Sequence, residues 1–346
     1  MIRIALVGCG AVTAKSHLPA LQRARDYFQC TAFVDVVAER AERLAAEMPG
    51  AVATPDLEAA LSVCDAVILA LPHHLHAEIG VRCLEAGKHV LMEKPLAPSV
   101  ADCDRLIAAA VRTNRILGIG LVRRYLHGHG LAREIIQSGM LGGLTGFEVS
   151  EGGVYSWPMV SDFLLRRETA GGGVLIDTGA HVLDTLLWWL GELQLVSCHD
   201  NARGGIEADC ELRLRTAEGV FGRVTLSRLR NLANTSIIRG ERATLEIEQL
   251  GNGVTLRVGP RTMAVSGSAG TQTIADLFDR QLQAFRRAID RDAIEDAGND
   301  VDLPEGQAGR QVVALIEQAY RQRQSHRESW ESWSCTTTSI DTGLWH

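Results

Sequence analysis

The chain has 346 residues, of which 46% are hydrophobic and 22% are charged, and its formal net charge is -7 at pH 7. This length predicts about two domains, and the composition is that of a soluble globular protein. The negative charge argues against general binding to nucleic acid or anionic lipid, and no apolar run reaches the roughly 18 residues that span a membrane.

The eight cysteines are scattered through the chain without close pairing, and several fall in apolar segments. Reduced thiols in a cytoplasmic protein explain this pattern better than a disulfide framework or a zinc site. The N-terminal segment runs directly into a glycine turn, so it is predicted to be a first strand and not a signal sequence.

A glycine-rich turn follows the first predicted strand. Ile2–Val7 is a continuous apolar run, typical of a central parallel strand that is covered on both faces. In the turn, Gly8 permits the tight bend and Gly10 lets the backbone approach a pyrophosphate at a helix N-terminus. Thr13 stands where the usual fingerprint has its third glycine. The predicted pyrophosphate-binding residues are Gly8, Gly10, Ala11 and Val12.

The second predicted strand, 30–34, ends in Asp35, which comes 25 residues after Gly10. A carboxylate there can accept hydrogen bonds from both hydroxyls of an adenosine ribose, and it would repel a 2′-phosphate. Arg40 is near in the sequence but does not follow at once. The pattern therefore favours NAD over NADP, although an aspartate in a strand-end turn is also common.

Strands and helices continue to alternate through the first third of the chain. Strands are predicted over 66–71, 89–92 and 116–121, and helices over 38–47, 57–62, 77–86 and 101–112. This order indicates a doubly wound parallel sheet with helices on both faces and right-handed crossovers.

Two segments follow strands of this sheet and are expected to face a ligand, because ligands bind at the carboxyl ends of such strands. The first contains Leu71, Pro72, His73 and His76, and the second contains Glu93 and Lys94 before Pro95. The spacing of the histidines at 73, 74 and 76 fits no common metal-ligand pattern, so no metal is predicted and a loop beside the cofactor is preferred. A lysine that only caps a surface loop is the alternative for Lys94.

After Arg124 the pattern changes to short alternating strands, predicted over 144–150, 193–199, 211–215, 220–227, 236–239, 243–248 and 254–258. Helices are predicted over 127–138, 171–190, 274–289 and 305–324. This predicts an α+β domain with a large, mostly antiparallel open sheet. The predicted divisions are a nucleotide-binding domain at 1–122, a substrate and oligomerisation domain at 123–325, and a tail at 326–346.

One helix of the second domain carries a candidate acid–base pair. Asp177 and His181 are four residues apart and share a helical face, with Asp184 about two turns after Asp177. A carboxylate beside an imidazole orients it and raises its basicity, which a general base needs. An ordinary polar helix face is the alternative. The preceding Gly171, Gly172 and Gly173 weaken a helix, so a close backbone approach to a ligand or domain is expected.

Together these segments resemble the Gfo/Idh/MocA family, which includes glucose-fructose oxidoreductase and inositol dehydrogenase. The resemblance extends from Ile2 to about Ser325. It rests on the glycine turn with His17, on Pro72 with His76, on Glu93-Lys94-Pro95 and on the block from Gly171 to Asp184.

The resemblance implies a Rossmann domain, a second domain with a large open sheet, and NAD(P) held between them. It implies that Lys94 hydrogen-bonds the reacting oxygen, that His181 transfers the proton, and that Asp177 orients the hydroxyl or the imidazole. Asp177 and His181 are also expected to contact the substrate, together with Arg124 and Trp157. His73 replaces an asparagine that is frequent in the family beside the nicotinamide. Other members use the open sheet to form homodimers or homotetramers.

The sequence therefore predicts an NAD-dependent oxidoreductase that acts on a secondary alcohol or ketone of a sugar, cyclitol or related polyol. A redox-neutral glycosidase of the same family that retains its NAD is one alternative. A non-catalytic regulator that binds a dinucleotide is another, although it would have no need for Lys94, Asp177 and His181 together.

Overall fold

The computed structural model describes residues 1–265, 272–290 and 302–326. Its first sheet has six strands: β1 (Ile2–Val7), β2 (Phe28–Val34), β3 (Val52–Thr54), β4 (Ala66–Leu69), β5 (His89–Met92) and β6 (Leu117–Ile119). They lie in the order β3-β2-β1-β4-β5-β6, and every neighbouring pair is parallel. From β1 the sheet extends in one direction through β2 to β3 and in the other direction from β4 to β6. Such a switch point between β1 and β4 leaves a crevice at the carboxyl ends of these two strands. The predicted doubly wound parallel sheet is confirmed.

Five helices connect these strands: α1 (Leu18–Arg23), α2 (Ala38–Ala45), α3 (Leu57–Ser62), α4 (His76–Glu85) and α5 (Val100–Thr113). Side chains cap two of them, since Asp56 accepts a hydrogen bond from the backbone of α3 and Ser99 accepts one from α5. Asn114 ends α5 in the left-handed region at φ 51°. Strand β3 was not predicted, because it has three residues at a sheet edge and no buried run.

The second sheet has nine strands: β7 (Leu144–Gly152), β8 (Leu193–Asp200), β9 (Asp209–Thr216), β10 (Phe221–Ser227), β11 (Thr235–Gly240), β12 (Thr244–Glu248), β13 (Val254–Val258), β14 (Arg261–Ala264) and β15 (Gln324–Ser325). Their order is β14-β13-β12-β11-β7-β10-β9-β8-β15. All pairs are antiparallel except β7 with β10 and β8 with β15. The predicted large, mostly antiparallel sheet is therefore confirmed.

The remaining helices are α6 (His127–Gln137), α7 (Arg167–Ala170), α8 (Val174–Leu190), α9 (Ile274–Ile289) and α10 (Gly306–Gln322). Helix α8 buries Leu175, Leu183 and Leu186 in one core with the inner face of the second sheet. Helix α9 lies by sequence in the predicted second domain, but its Phe278 and Phe285 belong to a core with residues of β1 and β2. The chain therefore returns from the second sheet to pack against the first.

The seven cysteines in the described residues are all free and buried. Cys335 and the three tryptophans of the predicted C-terminal tail, Trp330, Trp333 and Trp345, lie outside the described residues. Within the part of the chain that the structure describes, no helix combines the length and apolarity needed to cross a bilayer.

Candidate active site

The turn after β1 has the shape that its glycines predict. Gly8 has a φ of +96°, and a Cβ atom on it would lie 2.3 Å from the carbonyl oxygen of Ala70 at the end of β4. Glycine is therefore required by both conformation and space. Thr13, which departs from the fingerprint, donates a hydrogen bond from Oγ1 to the Gly8 carbonyl at 2.5 Å. The buried Thr13 hydroxyl closes the turn, so threonine is compatible with the turn at the position of the third glycine.

Asp35 follows β2 and points back to this turn. Its Oδ2 accepts a hydrogen bond from the Cys9 amide at 2.8 Å, and its Oδ1 accepts one from the Val37 amide at 2.9 Å. A carboxylate oxygen can accept more than one hydrogen bond, so each oxygen retains acceptor capacity for a ribose hydroxyl. Together with the helix N-terminus at Ala11 and Val12, these residues fit the adenosine and pyrophosphate of a dinucleotide.

Residues 153–166 connect β7 to α7 and lie across the glycine turn. A Cβ atom on Gly10 would be 3.7 Å from Val160 Cγ2, and Arg40 donates a hydrogen bond to the Val160 carbonyl at 2.8 Å. Trp157 is 40% exposed and lies 5.8 Å from the Lys15 ammonium. The structure therefore places Trp157 beside the glycine turn.

The segment from the end of β4 to the first residue of α4 carries two buried histidines. His73 Nδ1 lies 2.7 Å from the carbonyl oxygen of Ala170, just before the triple glycine. The two ring nitrogens of His76 lie 2.9 Å from the carbonyl oxygens of Pro95 and Leu71. Each imidazole therefore links this segment to the backbone of a neighbouring segment through a hydrogen bond. Among the described residues, no group of three or more histidine, cysteine or acidic side chains is arranged to hold a metal.

Burial lowers the pKa of several histidines, including His73, His76 and His129. Burial lowers the pKa of His73 to about 3, with a further contribution from His76, and it also lowers the pKa of His76. His129 on α6 lies with Nε2 3.1 Å from the Glu248 carbonyl oxygen, and burial lowers its pKa to about 3, with Arg123 contributing. These rings are therefore neutral near pH 7.

Acidification is expected to destabilise the protein through these three histidines. Their pKa values in the folded state lie below the ordinary value of 6.5, so the unfolded chain binds more protons as the pH falls. Below about pH 6.5, each histidine removes up to about 1.4 kcal/mol per pH unit from the free energy of unfolding. Urea titrations at about pH 7.5 and about pH 5.5 measure the loss. Equal free energies of unfolding at the two pH values would contradict this account.

Lys94 and Asp177 form the centre of the site. Lys94 follows β5 of the first sheet, and Asp177 lies in the first turn of α8 beside the second sheet. Lys94 Nζ donates hydrogen bonds to Asp177 Oδ1 at 2.5 Å and to the Asp177 carbonyl at 3.1 Å. The two predicted residues, 83 positions apart, are thus in direct contact at the junction of the two sheets.

The second oxygen of the same carboxylate is also bound to a cation. Arg228, which follows β10, donates from Nη2 to Asp177 Oδ2 at 2.5 Å. Burial alone would raise the pKa of Asp177, but Lys94 and Arg228 outweigh burial and hold it well below its usual value. Asp177 is therefore ionised and bridges two cations. No sequence motif pointed to Arg228, because it is 51 residues away in an irregular segment.

His181 lies one turn after Asp177 but makes no hydrogen bond with it in the described structure. Its Nδ1 is buried and without a hydrogen-bond partner among the described residues. Burial lowers the pKa of His181 well below 6.5, and the charges of Lys94 and Arg123 lower it further. The charge of Asp177 raises the pKa of this imidazole, as expected, but burial, Lys94 and Arg123 outweigh that effect.

Glu93 connects the end of β5 to the first helical segment. Its Oε1 lies 2.8 Å from His17 Nε2, and its Oε2 accepts a hydrogen bond from the Lys94 amide at 3.2 Å. A Cβ atom on Gly120 would lie 3.2 Å from this carboxylate. Glu93 therefore fixes the backbone that presents Lys94.

The triple glycine is explained by close backbone packing within the protein. A Cβ atom on Gly172 would lie 1.9 Å from the Tyr320 hydroxyl, and one on Gly173 would lie 1.9 Å from the Glu207 carbonyl oxygen. The Glu207 side chain accepts hydrogen bonds from the amides of Gly173 and Leu175, both at 2.9 Å. The expected close approach is present, and its partners are α10 and the loop between β8 and β9. It fixes the start of the helix that carries Asp177.

Arg124 and Asp184 pair with each other. Arg124 donates to both oxygens of Asp184, at 2.6 and 3.0 Å, and its guanidinium lies 5.6 Å from the Trp188 ring. The neighbouring Arg123 makes a bidentate ion pair with Glu151 at 2.5 and 2.6 Å. Both arginines are thus neutralised by acidic partners, and Asp184 is not part of the contact between Lys94 and Asp177.

Two protein-family models match the chain. One is described as "Oxidoreductase family, NAD-binding Rossmann fold" and matches residues 2–121, and the other is described as "GFO/IDH/MocA C-terminal domain" and matches residues 129–246. Together they cover more than half of the chain, including Asp35, Lys94, Asp177 and His181.

The chain is also similar to named sugar oxidoreductases. A dTDP-3,4-didehydro-2,6-dideoxy-alpha-D-glucose 3-reductase from Saccharopolyspora spinosa is 27% identical over 260 residues, which are 72% of this chain and 75% of that protein. A D-glucoside 3-dehydrogenase from Escherichia coli is 28% identical over 216 residues, which are 60% of each protein. The match thus spans about three fifths of the length of the second relative.

A solved structure shares the fold over nearly the whole chain. It is a 3-ketoreductase from Actinomadura kijaniata in complex with NADP and TDP-benzene. The TM-score is 0.80 at 22% sequence identity, and the match covers 94% of this chain and 98% of that chain.

Proposed function

This chain belongs to the Gfo/Idh/MocA family of NAD(P)-dependent oxidoreductases, and we propose that it transfers hydride between the cofactor and a sugar, cyclitol or related polyol. The observation that carries the proposal is the contact between Lys94 and Asp177 at 2.5 Å. It places an ammonium group between the dinucleotide-binding sheet and the second domain. The relatives named above act on hydroxyl or keto groups of hexoses, which supports this substrate class.

We assign proton handling to Lys94 and His181. Two of the three N–H donors of Lys94 are engaged by Asp177, which leaves one donor for the reacting oxygen. The neutral His181 imidazole can accept a proton from a substrate hydroxyl, because its Nδ1 has no partner in the described structure. Bound nicotinamide supplies the hydride acceptor at C4. Asp177 acts by aligning Lys94 through these two hydrogen bonds.

Spectrophotometric detection of NADH tests the proposed reaction. Purified protein is screened against neutral sugars, inositols, sugar acids and sugar phosphates, with NAD and NADP in separate assays. The proposal expects NADH formation with at least one of these polyols. Consumption of a glycoside with no net NADH would instead indicate the redox-neutral glycosidase.

The preference for NAD over NADP is assigned to Asp35. Asp35→Ala is expected to lower kcat/KM with NAD by about tenfold and to reduce the NAD-to-NADP preference, because ribose hydrogen bonds and phosphate repulsion are lost together. Steady-state kinetics with both cofactors measure this ratio. Asp56→Ala is a matched control, since Asp56 also follows a strand but caps α3. An unchanged NAD-to-NADP ratio in Asp35→Ala would reject the assignment.

We also propose that the chain forms a homodimer or homotetramer through the outer face of its second sheet. On that face, Glu148 pairs with Arg223 at 2.8 Å and with Arg239 at 3.2 Å, beside Phe221, which is 60% exposed. Paired charges around an exposed aromatic side chain suit a self-complementary interface. Sedimentation equilibrium of the purified chain tests this, and a monomer at micromolar concentration would reject it.

A cytoplasmic location is proposed from the cysteines. Seven of them are described, and all seven are free and buried. This use of cysteine is typical of proteins in reducing compartments. Fractionation of the source cells tests the location.

A further inference from the structure

Arg228 has hydrogen-bonding capacity that the protein does not use. Its side chain is 10% exposed, and its Nη2 donates to Asp177. Its Nε is buried and has no hydrogen-bond partner in the described structure. The guanidinium lies 4.8 Å from the centre of the Tyr155 ring, and the Tyr155 hydroxyl is likewise buried without a partner. Two unsatisfied polar groups thus lie together beside Asp177, and such groups are costly when nothing binds them.

The charges of the side chains around Asp177 do not balance. Lys94 and Arg228 share the single carboxylate of Asp177, so the three groups carry one excess positive charge. The other arginines of the site leave no such excess, because Arg123 pairs with Glu151 and Arg124 pairs with Asp184. A buried cation without a full counter-charge is costly, and a bound anion would remove that cost.

We propose that Arg228 and Tyr155 form a subsite for an oxyanion, a carboxylate or a phosphate, carried by the substrate. This inference rests on the proposed function, because it defines the substrate as an acidic or phosphorylated sugar. Arg228 and Lys94 bind the two oxygens of one carboxylate, so the subsite adjoins the place of the reacting hydroxyl. The anionic group therefore belongs within one or two carbons of the reacting carbon. Arginine and the tyrosine hydroxyl both donate to such a group.

A matched pair of ligands tests the subsite. Methyl β-D-glucuronide and methyl β-D-glucoside differ only at C6, where one has a carboxylate and the other a hydroxymethyl group. Their dissociation constants are measured by calorimetry on protein loaded with NADH. The dissociation constant of glucose 1-phosphate is measured in the same way, to test binding of a phosphate in place of the carboxylate. The wild-type protein is expected to bind the glucuronide or the sugar phosphate at least about tenfold more tightly than the glucoside.

Three variants separate recognition of the anion from a purely structural role of Arg228. Arg228→Gln is expected to abolish the preference for the anionic ligand, and Arg228→Lys is expected to restore part of it. Tyr155→Phe is expected to weaken the anionic ligand by a smaller factor. The control is Arg230→Gln, since Arg230 is 62% exposed and pairs with Asp209 at 3.5 Å. This control is expected to keep the full preference.

Equal affinity of the wild-type protein for all three ligands would overturn the subsite, and so would equal weakening of all three by Arg228→Gln. These outcomes are distinct from failure of the proposed function. Binding of an anion that depends on Arg228, with no NADH formed from any polyol, would retain the subsite and reject the reaction. NADH formed from neutral sugars with no preference for an anion would retain the reaction and reject the subsite.

Discussion

Lys94→Met is expected to lower kcat by about 10²- to 10⁴-fold with any polyol substrate, which is the usual contribution of a positioned acid–base group. Among the described residues, Lys94 is the only side-chain donor bound to Asp177 Oδ1, and the substitution removes it. Methionine preserves much of the side-chain volume, so the fold should be retained. Turnover is measured from NADH absorbance, and binding of NADH is measured separately by fluorescence.

Lys88→Met is the matched control for this prediction. Lys88 precedes the same strand, β5, but its Nζ donates to the carbonyl of Cys64 at 2.8 Å. The control is expected to turn over the substrate at nearly the wild-type rate. Full activity of Lys94→Met, with NADH still bound, would show that another group serves the reacting oxygen.

Glu151→Ala is expected to lower the free energy of unfolding by about 3–5 kcal/mol, because it leaves the Arg123 charge buried without its partner. Both side chains of the pair are at most 9% exposed. Arg123 also donates to Gln249 at 3.2 Å, but an amide oxygen does not replace a carboxylate. Urea denaturation followed by circular dichroism measures the loss.

Glu85→Ala is the control for Glu151→Ala. Glu85 pairs with Arg112 at 2.6 Å and its side chain is 53% exposed, so its loss is expected to cost at most about 1 kcal/mol. If Glu151→Ala were no more destabilising than Glu85→Ala, the buried pair between Arg123 and Glu151 would contribute no more to stability than an exposed pair.

The sequence predicted the first sheet well because its strands are continuous apolar runs separated by amphipathic helices. Leu57–Ser62 and Val254–Val258 have the bounds that were predicted. The missed strands lack a hydrophobic signal, since all four residues of β14 are exposed and β15 has only two residues. Sequence pattern also could not show that α9 packs against the first sheet, because amphipathicity does not identify the partner surface.

The candidate site could be predicted where its residues fall in local motifs. Gly8, Asp35, Lys94 and Asp177 were all predicted as site residues from such motifs, and in the structure Lys94 contacts Asp177. Arg228 was missed because only the tertiary fold brings the end of β10 to α8. For the same reason, the sequence could not show that the Asp177 carboxylate is shared by two cations and not by His181.

Transfer of deuterium tests the central claim most directly. A polyol that is active in the NADH assay is labelled with deuterium at its reacting carbon and incubated with NAD and the protein. We predict that each NADH formed carries one deuterium at C4 of the nicotinamide and that Lys94→Met forms almost none. NADH without deuterium, or conversion of the polyol with no reduced cofactor released, would contradict hydride transfer as the net reaction of this site.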